Sequence, residues 1–310
     1  MPVSQYRIWT VILIAAAGWG TAGVVTRIAF EEGLGPFAVV AISSSIGAIA
    51  VVLYAVVSRH GFVVGRVGWQ VGAVMSLLSV TFPFLSRNLA LENASAGFVG
   101  LAAALVPIAT ALTAHVVLPD EPLERATLGG LLVALTGVAV LVFSGDSGIA
   151  EGGRPLVAGC FALVGVVSVS VGSVFAKRHA GGYSPVAVAG VQFVLAAVIT
   201  TVLMLVIEGM PEAPTARGWW SLVYMGVLAT FVPMVLYYWL IRHVTVTYSA
   251  ITGYVIPLVA VVVGIVVLNE QLQPGIVAGG ILILAGVVLT DRARIRRTKA
   301  AIADEVPPVV

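Results

Sequence analysis

Residues 120–137 read DEPLERATLGGLLVALTG, and residues 269–286 read NEQLQPGIVAGGILILAG. In each stretch an acidic residue and a short turn lead into an apolar run with glycines at matching places. The positions that align at a spacing of 149 are Glu121 with Glu270, Gly130 with Gly279 and Gly137 with Gly286. A sequence motif that occurs twice, with its positions at a fixed spacing, indicates an internal repeat.

The repeat extends well beyond these two phrases. At a spacing of 150 the matching positions are Arg27 with Lys177, Met75 with Met225, Pro83 with Pro233 and Pro107 with Pro257. The spacing changes by one residue only in the turn before the quoted phrases, where the first copy reads LPDEPL and the second LNEQL. A one-residue loop deletion explains the change, so the chain is predicted to be two copies of one unit.

The composition is that of a membrane protein. Of the 310 residues, 60% are hydrophobic and 10% are charged, whereas soluble domains have roughly 25% charged residues. Apolar runs near the length of ~20 residues that crosses a bilayer recur along the chain. The pattern predicts an all-α integral membrane bundle with ten transmembrane helices. The predicted spans are residues 8–30, 36–57, 69–90, 95–118, 124–143, 155–176, 185–207, 218–241, 245–268 and 274–290.

Five spans in each copy is an odd number, so the second copy enters the membrane from the opposite side. The prediction is therefore two inverted five-helix repeats, residues 1–145 and 152–292, followed by a basic cytoplasmic tail at 293–310. Two inverted halves have two nearly equivalent packings, one open to each side of the membrane, which is the basis of alternating access.

The distribution of basic residues predicts the orientation. If both termini are cytoplasmic, the inner segments hold twelve of the 16 Lys and Arg residues and the outer segments hold four, Arg27, Arg87, Arg154 and Arg217. Because cytoplasmic loops of membrane proteins are enriched in Lys and Arg, both termini are predicted to be cytoplasmic. The expected location is the cell (inner or plasma) membrane.

Several function classes lack support. Residues 18–23, GWGTAG, match a dinucleotide-binding pattern, but no acidic residue follows at the required distance of ~20 residues. The phosphate-binding and hydrolase motifs are absent, and the single cysteine, Cys160, has no partner for a metal site. Basic residues form no stripe that would suit nucleic acid. We expect no cofactor, no metal ion and no enzymatic activity. The protein is expected to be a monomer or homodimer in the lipid bilayer.

The sequence resembles the EamA family of drug/metabolite transporters. The features that carry the resemblance are Trp19-Gly20-Thr21 in the first span, Pro107 and Pro257, the phrases at Glu121 and Glu270, and the basic tail. The resemblance covers roughly residues 8–292. It implies that helices 1, 3, 4, 6, 8 and 9 surround a central cavity while helices 5 and 10 brace it, and it implies export rather than uptake.

Aromatic and hydroxyl-bearing residues of the cavity helices suit a small amphiphilic solute. The residues expected to line the substrate cavity are Trp19, Thr21, Thr81, Phe82, Ser86, Arg87, Ser170, Tyr224, Tyr237 and Tyr254. Prolines inside the spans remove backbone hydrogen bonds and are expected to kink or hinge their helices at Pro83, Pro107, Pro233 and Pro257. The predicted function is a secondary transporter of amino-acid-like or drug-like metabolites; the alternative is a membrane-embedded enzyme or a channel-like bundle.

Two local alternatives stay open at this level. Arg87 is expected either to meet an anionic group of the substrate or to form an ion pair with Glu92 at the adjoining turn. Glu121 and Glu270 are expected to cap the helices that follow them, since a carboxylate accepts from free N–H groups at a helix N-terminus. The competing role for these carboxylates is proton coupling.

Overall fold

A computed structural model describes residues 5–57, 65–117, 125–149, 152–179, 185–243 and 246–305, and over these ranges the chain is helical without any β-strand. The elements are α1 Gln5–Glu31, α2 Pro36–Val57, α3 Arg66–Met75, π1 Ser76–Thr81, α4 Phe82–Leu91, α5 Ala96–Ala103, α6 Val106–Val117, α7 Arg125–Phe143, α8 Pro155–His179, α9 Pro185–Ile207, α10 Ala216–Val223, π2 Tyr224–Phe231, α11 Val232–His243, α12 Val246–Leu268 and α13 Pro274–Glu305.

Within the described ranges, seven helical runs are long and apolar enough to cross a membrane. They are Gln5–Glu31, Pro36–Val57, Arg66–Leu91, Ala96–Val117, Pro155–His179, Val186–Ile207 and Ala216–Tyr237. Three shorter apolar helices are Leu128–Phe143, Val255–Leu268 and Pro274–Thr290. The chain is thus a multi-pass, all-helical membrane protein, as predicted. The count of ten spans and the inversion of the halves stay predictions.

The last helix is longer than the sequence pattern indicated. The apolar pattern ends near residue 290, but α13 continues as one helix to Glu305. The segment from 293 onward therefore extends the last helix over most of its length. Its residues are good helix formers, including several Arg, Lys and Ala, which explains why the helix does not end where the apolar run ends.

Helices of the first half pack mainly on helices of the second half. The principal neighbours are α2 with α9, α7 with α13, α5 with α12, and α1 with both α12 and α11. The largest buried apolar cluster joins residues of α1, α4 to α8 and α13, and includes Phe98, Leu141 and Ile283, which are all inaccessible to solvent. Neither half buries its apolar faces alone, so the interface between the halves is the core of the molecule.

Glycines bring α7 and α13 into direct backbone contact. A Cβ atom at Gly137 would lie 2.7 Å from the carbonyl oxygen of Gly279, and one at Gly279 would lie 2.8 Å from the carbonyl oxygen of Gly137. Such distances are too short for any side chain, so glycine is required at both positions. Small residues that permit close backbone approach are a common way to pack helices in membranes.

Candidate substrate-binding site

The first helix carries two of the predicted cavity residues, and each contacts a predicted residue in the middle of the chain's second half. The Trp19 and Tyr237 rings meet edge to face with centroids 5.6 Å apart. The Thr21 hydroxyl lies 2.8 Å from the Tyr224 hydroxyl, and Thr21 also donates to the Ala17 carbonyl at 2.7 Å. The structure therefore forms two contacts between α1 and the second half, one of Trp19 with α11 and one of Thr21 with π2.

The other predicted residues are distributed along π1, α4, α8 and α12. Ser86 is buried on the side of α4 that meets α8, where its Cβ lies 3.5 Å from the position of a Cβ on Gly165. The Ser170 hydroxyl donates to Val166 of its own helix at 2.7 Å. Thr81 is buried, and within the part of the chain that the structure describes its hydroxyl has no hydrogen-bond partner. The Phe82 side chain is 47% exposed, and the side chain of Tyr254 lies outside the described part of the chain.

Arg87 is partly buried in α4, and its buried Nε atom has no hydrogen-bond partner among the described residues. Its guanidinium lies over the Phe84 ring at 5.0 Å from the centroid. Within the described residues, the ion pairs that the structure contains join Arg217 to Glu31 and Glu32. The expected alternative, an ion pair between Arg87 and Glu92, is therefore wrong.

The predicted backbone disruption at Pro83 takes the form of a π-helical turn. The Phe82 N–H donates to the carbonyl of Leu77, five residues back, as in a π-helix. The next carbonyl in this register is that of Leu78, but its partner would be Pro83, which has no N–H. Ser168 of α8 fills the gap, because its hydroxyl donates to the Leu78 carbonyl at 2.9 Å. A side chain of the second half thus completes the backbone of the first.

The second copy repeats this arrangement with one change. The Val232 N–H donates to the carbonyl of Val227, and the next carbonyl, that of Leu228, faces Pro233. Gly18 of α1 occupies the place that Ser168 has in the first copy, at the same spacing of 150. A Cβ on Gly18 would clash with the Leu228 carbonyl oxygen and lie 2.5 Å from Cγ of Pro233. Close backbone packing replaces the hydroxyl here.

The remaining two prolines differ from each other despite their aligned positions. Pro107 is the second residue of α6 and follows a break in the helix at residues 104–105. Pro257 lies inside α12, which runs without interruption. The helix break in the first copy therefore has no counterpart in the second.

One end of the bundle is tied together by contacts between the halves. This clasp end comprises the turns 32–35, 92–95, 144–149, 208–215 and 269–273. Glu270 accepts the Ala96 N–H at 2.5 Å and the Gly97 N–H at 3.0 Å, while the Ser95 hydroxyl accepts the Phe98 N–H. These three N–H groups at the start of α5 would otherwise lack partners.

The expectation that Glu270 caps the helix following it is wrong. Asn269 adopts a left-handed conformation, φ 53°, and the Glu270 N–H donates to the Gly264 carbonyl six residues back at 3.2 Å. This is a Schellman ending for α12, and it directs the Glu270 side chain toward α5 of the other half. The aligned Glu121 lies outside the described residues.

Two further contacts at the clasp end were not anticipated from the sequence. Glu208, after α9, accepts the N–H groups of Phe37 and Ala38 at 2.9 and 2.8 Å and so caps α2. Arg217 pairs with Glu31 at 3.3 Å and with Glu32 at 3.1 Å. The pattern of acidic residues after spans could have suggested caps, but nothing in the sequence identified which helix each one reaches.

Burial and hydrogen bonding shift the pKa values of the clasp-end carboxylates in different directions. Burial raises the pKa of Glu270 above its ordinary value of 4.5, although the Gly97 and Ala96 N–H groups and Arg27 oppose the shift. Burial and the nearby Glu208 raise the pKa of Glu92. The hydrogen bond from Thr215, assisted by Arg217, lowers the pKa of Glu32.

A cavity of about 500 Å³ opens at the clasp end. It is lined by Arg27, Phe30, Glu31, Glu92 and residues 33–36. Arg27 donates from Nη1 to the Leu91 carbonyl at 2.7 Å and so spans α1 and the end of α4. The cavity contains charges of both signs.

The chain matches the EamA-like transporter family twice, at residues 8–143 and 156–291. An uncharacterized transporter of Clostridium kluyveri is 26% identical over 286 residues, covering 90% of this chain and 91% of the relative. A probable terminal-alkyne amino-acid exporter of Streptantibioticus cattleyicolor is 29% identical over 207 residues, covering 66% of this chain and 67% of the relative.

A solved crystal structure has a similar fold. It superimposes with a TM-score of 0.65 and 21% sequence identity, covering 94% of this chain and 99% of the other chain. At this identity the likeness concerns the fold alone.

Proposed function

This chain belongs to the EamA-like transporter family, and on that premise we propose that it is a secondary transporter that exports small organic metabolites by alternating access. Membership of the family implies a small-molecule substrate and a lipid bilayer as surroundings. The amino-acid exporter among the relatives supports amino-acid-like or drug-like solutes as the substrate class. The transport direction, outward, rests on the same relative.

The observation that carries the proposal is the exchange of equivalent contacts between the halves. Ser168 packs on the π-helical turn before Pro83, and Gly18, its counterpart, packs on the turn before Pro233. A molecule whose halves make such interchangeable contacts has two arrangements of similar energy, and interfaces of this kind switch between discrete packings. We propose that the four aligned prolines and the two π-helical turns act as the hinges of that switch.

The proposed cavity lies where α1 meets the second half. Trp19 and Tyr237 supply aromatic surface, and the Thr21 and Tyr224 hydroxyls supply hydrogen-bonding groups. Such a wall fits a solute with an apolar body and a few polar groups. The other members of the proposed site are Thr81, Phe82, Ser86, Arg87, Ser170 and Tyr254.

Counterflow in proteoliposomes tests the carrier mechanism. Vesicles loaded with an unlabelled amino acid should transiently accumulate the same amino acid in labelled form from outside, because the excess unlabelled solute inside competes with the labelled solute for the carrier's exit step. A panel of amino acids and amphiphilic drugs identifies the substrate. Uptake that is independent of the internal solute would favour the channel-like alternative, and chemical conversion of the solute would favour the enzyme.

The proposed direction needs a separate measurement in cells. Cells fed with dipeptides of the identified amino acid accumulate it by hydrolysis, and expression of the protein should lower the internal pool and raise the external one. Unchanged pools on expression of a protein that is active in counterflow would contradict export.

A further inference from the structure

We propose that the guanidinium of Arg87 binds the carboxylate group of the transported solute, so that the substrates are small carboxylates, amino acids among them. The inference rests on the proposed transport function and specifies the substrate class for that site. Three observations carry it: no carboxylate of the described residues pairs with this charge, the charge lies on the face of α4 between the first helices of the two halves, and the other nearby arginine, Arg27, is engaged with a backbone carbonyl.

A charged side chain inside a membrane span is costly unless it is paired or faces a wet path. Arg87 lies in the outer part of a span, four residues from the end of the helical run Arg66–Leu91. Among the described residues its buried Nε has no hydrogen-bond partner, and no carboxylate pairs with it. The contact with the Phe84 ring at 5.0 Å contributes a cation–π interaction but uses none of the guanidinium N–H donors. The donors therefore remain available to an anion.

The neighbours of Arg87 on its own helix show which way this face points. Leu91, one turn away, packs on α1, where its Cδ2 lies 3.6 Å from the position of a Cβ on Gly23. Pro83, one turn in the other direction, has its carbonyl oxygen 3.6 Å from the position of a Cβ on Gly165 of α8. Residues four apart share a helix face, so Arg87 lies on the face between α1 and α8. These are the first helices of the two halves.

This position is near the proposed cavity. Trp19, whose ring meets that of Tyr237 with centroids 5.6 Å apart, is four residues from Gly23 along α1, so the two residues share a face of that helix. A solute whose apolar body contacts the aromatic wall of α1 and α11 would place its acidic end toward α4. The site then has an apolar wall and one charged group, which is typical of pockets for small metabolites.

The lone charge favours a carboxylate over a phosphate. Arginine offers a planar fork of donors that matches a carboxylate with two parallel hydrogen bonds. A phosphate ester carries a charge of about −1.5 to −2 at neutral pH and is usually held by several basic groups. The other basic residue of the outer part of this region, Arg27, is already engaged with the Leu91 carbonyl at 2.7 Å.

Ligand-dependent thermal stability of the purified protein in detergent tests the site. The probes are the standard amino acids and short-chain fatty acids, each beside its amide, which keeps the shape and removes the negative charge. We expect at least one acid to raise the melting temperature of the wild type while its amide does not. Arg87→Gln should weaken binding of that acid by at least about tenfold, equivalent to ~1.4 kcal/mol. Arg87→Lys should retain part of the affinity, and Arg154→Gln, which removes an exposed arginine, should retain all of it.

These experiments distinguish amino acids from simple carboxylic acids as substrates. They also distinguish failure of the Arg87 site from failure of the transport function. Stabilisation by amino acids but not by fatty acids identifies amino acids as the substrates, and the reverse identifies simple carboxylic acids. A wild type that is stabilised by no acid more than by its amide overturns the site, whether or not the variants fold. Counterflow of a carboxylate that is unaltered in Arg87→Gln also overturns the site but leaves the transport function intact. Tight, Arg87-dependent binding without counterflow would instead refute transport and keep the site.

Discussion

Gly130 and Gly286 contact each other through their backbones, because a Cβ on Gly130 would lie 2.6 Å from the Gly286 carbonyl oxygen and a Cβ on Gly286 would lie 2.5 Å from the Gly130 carbonyl oxygen. Gly137 and Gly279 form the same reciprocal contact. The two pairs run in opposite directions along the helices, so α7 and α13 are antiparallel. The repeat aligns Gly130 with Gly279 and Gly137 with Gly286, so exchanging the two copies converts one contact pair into the other.

The first prediction concerns this interface. Gly130→Leu should destabilise the protein by about 1–3 kcal/mol, since the added side chain would have to separate two helices in backbone contact. Gly129→Leu is the matched control, because a Cβ at Gly129 would meet nothing within 4 Å and the gain in helix propensity is the same. Melting temperatures in detergent should fall for the first variant alone. Equal melting temperatures would show that α7 and α13 do not pack as described.

A second prediction tests the role of Ser168. Ser168→Ala should cost ~0.6–1 kcal/mol because it leaves the Leu78 carbonyl without its donor. Pro83→Ala restores an N–H for that carbonyl, so Ser168→Ala should cost less in the Pro83→Ala background. Ser173→Ala, on the same helix, is the control, since its exposed hydroxyl donates to Val169 of its own helix. Additive costs in the double variant would refute the coupling.

Glu270 provides a pH-dependent prediction. Its pKa is raised above 4.5 by burial, so the folded protein holds the proton more tightly than the unfolded chain does. Its contribution to stability is complete below pH 4.5 and is lost as the pH rises through the raised pKa. As the pH rises from 4.5 through the raised pKa, the melting temperature of the wild type should therefore fall relative to that of Glu270→Gln. A difference that grows with pH would contradict the burial of this carboxylate.

Glu32, also at the clasp end, should show the opposite dependence. Hydrogen bonding by Thr215 and attraction by Arg217 lower its pKa below 4.5. The stabilisation that it contributes is present above pH 4.5 and is lost as the pH falls through the lowered pKa. The advantage of the wild type over Glu32→Gln should disappear on acidification. Glu212→Gln, which removes an exposed carboxylate of the same end, serves as the control for the general effect of charge.

The predicted topology has a direct test. In a Cys160→Ala background, Met210→Cys places a thiol in a clasp-end turn where the native side chain is 82% exposed. An impermeant thiol reagent should label it on intact cells, while Thr298→Cys near the C-terminus should react only after lysis. Labelling of Thr298→Cys alone would place the clasp end in the cytoplasm.

The sequence predicted features that depend on composition and on the repeat. Apolar runs identified a helical membrane protein, and the spacing of 150 matched Pro83 with Pro233, each of which follows a π-helical turn. These features are local, because proline removes an N–H wherever it stands. The repeat then predicts that a backbone disruption at one proline recurs at the aligned proline.

Contacts between distant residues were not predictable in the same way. Glu270 was expected to cap the helix after it, but a left-handed Asn269 turns it toward α5, and that direction depends on how the halves pack. The ion pair expected between Arg87 and Glu92 fails for a related reason. Adjacent turns bring residues near each other in sequence, but the helix face decides which way Arg87 points.

The hydroxyl of Ser168 and the bare backbone of Gly18 occupy equivalent places at the two π-helical turns. One hinge must break a hydrogen bond to move, whereas the other must separate two backbones in van der Waals contact. We therefore expect that, in the proposed transport cycle, the two turns separate from α8 and α1 with different activation energies and different temperature dependence.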